Sequence, residues 1–256
     1  MTLSSLSLPP NGGRQLGRRP PFFRVWQNPS VEITWYGGTC IRLRGKEGVI
    51  AADAYPSIVG PTGRGLTADI VTYSHPDPNP LPVRGKAKKA PTDDVVRPTS
   101  LEPAFQLDRP GEYEVHDVLV NGIRTYRDDE KGADRGANVS FVYELDGLHT
   151  VHLGDIGHTL TEAMIGEIGS VEVVVVAVGG HLAPARAAAL VAQLDANLVV
   201  AIPVCEDEAA CDQELAKFLH EMGVQQRPEP QAKLTVTISS VPQELTLVLL
   251  ESKGKV

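Results

Sequence analysis

From Val31 onward the apolar positions fall in short runs broken by glycine, proline and charged turns, the pattern of β-strands. VEITWYGG (31–38), CIRLRG (40–45), EGVIAADAY (47–55) and ADIVTYSH (68–75) are predicted strands, with GKEG (45–48) as a hairpin signal. GEYEVHDVLVNGIRTYR (111–127) predicts two strands around Asn121-Gly122, a strong turn pair. VSFVYELDGLHTVHLGD (139–155) predicts a hairpin turning at Asp146-Gly147.

The second half changes rhythm. GHTLTEAMIGEIG (157–169) and APARAAALVAQLD (183–195) have helical spacing, and DEAACDQELAKFLHEMG (207–223) predicts an amphipathic helix with acids in its first turn. Between them lie two buried strands, VEVVVVAVGG (171–180) and LVVAIPV (198–204), and KLTVTI and ELTLVLL close the chain as strands. Hairpins, then strand–helix alternation, then strands again suit an α/β (α+β) sandwich, two sheets face to face with helices outside. Residues 1–29, rich in Pro, Gly, Ser and Arg, read as an extended arm, and 30–256 as one domain. Pro76 to Pro103 reads as a long polar loop, of the kind that is functional or mobile.

Composition narrows the partners. A formal net charge of −8 over 256 residues disfavours nucleic acid and anionic membranes. No run approaches the ~18 apolar residues of a membrane span. The three cysteines, Cys40, Cys205 and Cys211, are too few and scattered for a disulfide framework, which fits a cytoplasmic protein.

Candidate chemistry recurs at one place, just past the C-terminal end of a predicted buried strand. Asp53, His75 with Asp77, Asp155, His181 and Cys205 all sit there. Strand ends converge on one edge of a sandwich, so these residues can meet, and their types suit zinc, iron or manganese. Singly, each also fits a structural role. Asp155 suits an N-cap, as does His181 for the helix from Pro184; Cys205 suits a small buried residue, and His75 a hydrogen-bonded one.

The order ITWYGGTCIRL, IAADAYP, ADIVTYSHPDPNP, RPGEYEV, NGIRTYRDDEKGADRGAN, VHLGDIGHTLT, VVVVAVGGHLAP, VVAIPVC resembles the metallo-β-lactamase superfamily. PGEYEV, RGAN, HLGDIGH and VGG resemble most the branch similar to L-ascorbate-6-phosphate lactonase. The resemblance implies an αββα sandwich with its active site on one edge of the sheets. Where relatives carry S-H-x-H-x-D-H, this chain has SHPDPNP. His75 keeps the first ligand position, while Asp77, Asn79 and Pro80 replace the second His, the Asp and the last His. A further ligand His falls on Arg127, the bridging carboxylate on Asp155 and the final His on Cys205. An upstream G-H-S/T-C pattern has become GGTC, with Gly38 in place of its His.

A two-metal site therefore lacks donors. The expected cofactor is none, or a single divalent zinc, manganese or iron held weakly by His75, Asp77, Asp155 and Cys205. Arg127 stays charged, offers no lone pair, and could neutralise Asp77 and Asp155 together. Two functions compete. One is a divergent relative binding a small anionic metabolite or a partner through Arg127, Asn79, His181 and Arg135. The other is a mononuclear hydrolase of an ester, lactone or phosphorylated metabolite, with His75, Asp77 and Asp155 around the metal. Thiol chemistry at Cys205 ranks last, and self-association into a homo-oligomer is expected from the resemblance.

Overall fold

The computed structural model describes residues 29–77, 97–205 and 208–254, so the predicted arm, Asn79 and Pro80 lie outside the described residues. The strands are β1 (Val31–Gly37), β2 (Cys40–Arg44), β3 (Val49–Ala52), β4 (Ile70–Thr72), β5 (Phe105–Leu107), β6 (Gly111–Val115), β7 (Val118–Tyr126), β8 (Ala137–Leu145), β9 (Leu148–His152), β10 (Val173–Val178), β11 (Leu198–Pro203), β12 (Leu234–Val236) and β13 (Thr246–Leu249). One sheet runs β12-β1-β2-β3-β4-β5 and the other β13-β11-β10-β9-β8-β7-β6. Four helices accompany them: α1 (Pro56–Val59), α2 (Glu162–Ile168), α3 (Pro184–Leu194) and α4 (Glu208–Glu221). Among the described residues no helix is long and apolar enough to cross a membrane.

Both sheets are mixed. Hairpins make the antiparallel pairs except β1 with β12, whereas β3-β4-β5 and β9-β10-β11-β13 run parallel. Parallel neighbours need a crossover, and α2 and α3 supply those from β9 to β11. Inward rows from both sheets, such as Ile33, Ile41, Leu43, Val120, Phe141, Val173 and Val175, fill the layer between them. On the outer face of the second sheet, Val174, Val176 and Val199 meet Leu190 of α3 and Phe218 of α4. The outer face of the first sheet is covered more thinly, by Tyr55 and Val59 at α1 and by Leu66 and Leu101 from turns. Each fully buried Val, Leu or Phe contributes about 1.5–3 kcal/mol of transfer free energy, before conformational entropy opposes it.

The Asn121-Gly122 turn expected from sequence is not a turn. Both residues sit inside β7, paired to Glu112 and Gly111 on one side and to Val142 and Phe141 on the other. The chain reverses instead at His116-Asp117, where His116 adopts φ +56°. Glycine is needed at 122 for another reason: a Cβ there would lie 2.8 Å from the Arg109 carbonyl oxygen and 3.0 Å from the Phe141 ring. The turn at Asp146-Gly147 forms as its sequence predicts, with φ +53° and +75°.

That turn also locks the two sheets together at one end. The Asp146 carboxylate accepts from the backbone N–H of Lys46 at 2.6 Å and of Glu47 at 3.2 Å. The Glu47 carboxylate accepts in return from the Asp146 N–H at 2.6 Å. Two hairpin turns distant in sequence thus satisfy each other's exposed donors.

Candidate functional site

Because β3 and β4, and β9, β10 and β11, each run parallel within their sheets, their C-terminal ends share the opposite edge. The strand-end residues gather there, in two layers.

The buried layer centres on Asp53, fully enclosed and held at φ +51°. Its carboxylate accepts from the Ser74 N–H at 2.7 Å, the Ser74 hydroxyl at 2.6 Å and the Tyr55 hydroxyl at 3.2 Å. His75 Nδ1 lies 2.7 Å from the Ser74 hydroxyl and 3.9 Å from Asp53. Only 6% of His75 is exposed. Burial pulls its pKa below the ordinary histidine value, and the opposing pull of the Asp53 and Asp155 charges does not restore it. The ring is therefore neutral near pH 7. His152 lies below, its Nε2 on the Thr39 carbonyl at 2.9 Å, and burial lowers its pKa in the same way.

The outer layer is charged. Arg127 donates from both Nε and Nη2 to one oxygen of Asp155, at 2.9 and 2.8 Å. His181 Nε2 approaches the same oxygen to 3.1 Å, so that oxygen meets three nitrogens. His181 is clasped on both sides: its Nδ1 faces the Arg135 guanidinium, and its Nε2 lies 3.0 Å from Arg127 Nη2 as well as beside Asp155. Burial raises the pKa of Asp155, but the hydrogen bond from His181 and the fields of His75, His181 and Arg127 outweigh it and lower the pKa overall.

The segment carrying Arg127 and Arg135 is a self-capped loop. The Asp128 carboxylate accepts from the backbone N–H groups of Glu130, Gly132, Asp134 and Arg135, between 2.6 and 3.2 Å. Outside it, Asp129 forms a two-pronged pair with Arg186 of α3. At its base, His158 Nε2 accepts from the Tyr126 N–H at 3.0 Å, and the Gly157 N–H donates to the Tyr126 carbonyl at 2.9 Å. Residue 157 must be glycine, since a Cβ would stand 2.0 Å from the Arg127 carbonyl oxygen.

Measured against the sequence reading, the structure joins Asp155, Arg127, His181 and Arg135 and seats His75 just beneath them. It separates Asp77, whose carboxylate accepts from the Ser57 hydroxyl of α1, while Arg127 turns to Asp155. Cys205 is corrected outright: it forms a disulfide with Cys211, and a bridged sulfur is no thiolate and ligates no metal. Neither Asp155 nor His181 serves as an N-cap. The cap before α3 is Ala183, without a side-chain bond. Sequence reasoning missed Asp128, although an Asp followed closely by turn glycines is a sign of backbone capping. It also missed Asn138, whose Oδ1 accepts from the Asp155 N–H at 3.0 Å.

The metal that such folds hold can be tested against these donors. Among the described residues no group of three or more His, Cys, Asp or Glu side chains is placed to hold an ion. Asp155 is engaged by a guanidinium and Cys205 by Cys211, which leaves the His75 ring, its Nδ1 on Ser74, without companion ligands. The described donors do not fit a divalent ion.

Two facing mixed sheets with a polar site on the edge where parallel strands end define a sandwich of the metallo-β-lactamase type. The profile of the β-lactamase superfamily domain matches residues 32–203, and the chain belongs to that superfamily. No curated protein matches it. Among solved structures, a Thermotoga maritima protein assigned to the Zn-dependent hydrolases of the metallo-β-lactamase superfamily is 26% identical, with a TM-score of 0.61 over 86% of this chain and 98% of that one. Igni18, a metallo hydrolase from Ignicoccus hospitalis, shares the fold at 16% identity, with a TM-score of 0.53 over 82% of this chain and 99% of that one.

Proposed function

We propose that this protein is a metallo-β-lactamase-fold member in which Arg127 supplies the positive charge beside Asp155, and which binds a small anionic ligand. One observation carries the reading: both Nε and Nη2 of Arg127 donate to the Asp155 oxygen that His181 also approaches. A guanidinium has no lone pair, keeps its proton at any ordinary pH and repels a cation. An ion at Asp155 would have to displace it. Arg135 is exposed, holds His181 through one donor, and makes no ion pair among the described residues, so it is the natural anion contact of this layer. Within the superfamily we place the chain in the branch similar to L-ascorbate-6-phosphate lactonase, on the motifs PGEYEV, RGAN, HLGDIGH and VGG.

The second reading is a mononuclear metal-dependent hydrolase using His75, Asp77 and Asp155. It is favoured by the 26% identity to a protein assigned to the Zn-dependent hydrolases. Elemental analysis of protein purified without chelators separates the two. We expect zinc, iron and manganese far below stoichiometry, and a near-stoichiometric content of any of them rejects the guanidinium reading in favour of the hydrolase.

A cytoplasmic location and a homo-oligomer belong to the same proposal. Fractionation of the producing cell tests the first: the protein is expected with cytoplasmic markers, and recovery in an extracytoplasmic fraction rejects it. Light scattering of the purified chain tests the second, and a monomer mass rejects it.

A further inference from the structure

Beside the charged layer, where the two sheets part, lies a cleft of about 430 Å³, within the size range of small-molecule sites. It is lined by residues 73–76 after β4, 108–110 after β5, Arg124 of β7 and 137–139 of β8. The Val139 N–H donates to the Ser74 carbonyl at 2.7 Å, stitching the sheets at this point. The Arg109 carbonyl presses onto Gly122, which holds the 108–110 turn against β7. The walls are therefore fixed by backbone contacts.

Arg124 is the unexpected residue. Side chains alternate along β7, and Val118 and Val120 face the layer between the sheets. Arg124 continues that inward row and pairs with Val139, which lies in the same apolar layer. Arg124 stands at the open end of that row, exposed to solvent at the mouth of the cleft. Asp108 and Arg109 stand 3.6 Å apart and offset each other. Arg124 makes no ion pair among the described residues. Among the described residues that line the cleft, Arg124 is a cation without a carboxylate partner, in a chain whose net charge is −8. Pro76, Pro110, Ala137 and Val139 add apolar surface around it.

We propose that this cleft is the ligand site and that it takes a small organic anion, a carboxylate or phosphate on a compact apolar body, with Arg124 as its anchor. The inference deepens the ligand-binding half of the function proposed above and rests on it. A charge-assisted, two-pronged bond to Arg124 fixes the anionic group, and the body lies against the prolines and Val139.

Calorimetry on the full chain with phenylphosphate and benzoate tests it, with inorganic phosphate and benzyl alcohol as the group and body alone. At least one of the two aromatic anions is expected to bind tighter than either fragment, and which one binds tells phosphate from carboxylate. Arg124→Gln is expected to weaken that binding by about tenfold or more, Arg124→Lys to retain part of it, and Arg186→Gln, outside the cleft, to change it by less than about twofold. Absence of binding by the wild-type chain overturns the proposal. So does Arg124→Gln binding as tightly as wild type, or Arg186→Gln losing as much as Arg124→Gln. Metal content is read on separate samples: a stoichiometric metal with Arg124-dependent binding would sink the guanidinium reading and leave the cleft standing.

Discussion

The two ends of β9 hold aspartates in opposite ways. At its start, Asp146 is gripped by backbone N–H groups of another hairpin. Just past its end, Asp155 is gripped mainly by side chains, those of Arg127 and His181. Backbone donors are set by the fold and cannot be exchanged without unfolding a turn. Side-chain donors can swing away, titrate or be replaced by a ligand. The turn end is therefore structural and the other end is open to chemistry, though both place a carboxylate beside a strand.

Four measurements break or sharpen that contrast, taken from the largest effect to the smallest. Asp155→Ala leaves a mostly buried guanidinium without its partner and is expected to lower stability by about 3 kcal/mol in chemical denaturation. Removing both charges, as Arg127→Met with Asp155→Leu, is expected to recover much of that loss. An unchanged midpoint for Asp155→Ala would mean the pair is solvated and not a replacement for a buried cation.

Asp146→Ala strands two backbone donors and is expected to lower stability by about 2 kcal/mol, while leaving ligand affinity unchanged. Altered affinity would show that the two ends are coupled.

Acid comes next. His75 and His152 are buried with pKa values held below the ordinary histidine value of 6.5, so the unfolded chain takes up protons first. Their contribution is present in full above pH 6.5 and declines as pH falls below it. Asp155, whose pKa is lowered from 3.8, adds a second decline only below about pH 4. Thermal melts from pH 8 to pH 3 should show both steps, and a flat profile between pH 6.5 and 4.5 would refute the buried neutral histidines.

The smallest effect is expected at the loop's outer clamp. Arg186 and Asp129 are exposed, so Arg186→Ala should move the melting temperature by less than about 2 °C. A larger shift would make the clamp, and not Asp128, the main support of the loop.

Much of the fold was legible in the chain. The hairpin at Asp146-Gly147, the buried valine run of β10 and the helices α3 and α4 appear where hydrophobic period and turn chemistry place them. Asn121-Gly122 misled because the same dipeptide serves a tight turn and a close packing contact, and only the neighbour, here the Arg109 carbonyl, tells which. The convergence of Asp155 and His181 followed from strand ends sharing an edge. The cleft beside Arg124 did not, because a charge at the open end of an inward row is visible only once the alternation of β7 has been set against a second sheet.

The amino-acid order by itself determined which donors exist: a histidine after β4, an arginine after β7, a cysteine after β11, and aspartates at strand ends. Side-chain chemistry is a local property, so no fold can alter it. Tertiary structure alone decided how those donors pair. Arg127 reaches Asp155 and leaves Asp77 to Ser57, Cys205 closes on Cys211, and Arg124 opens onto a cleft, because such distances depend on how two sheets stack and not on spacing along one chain.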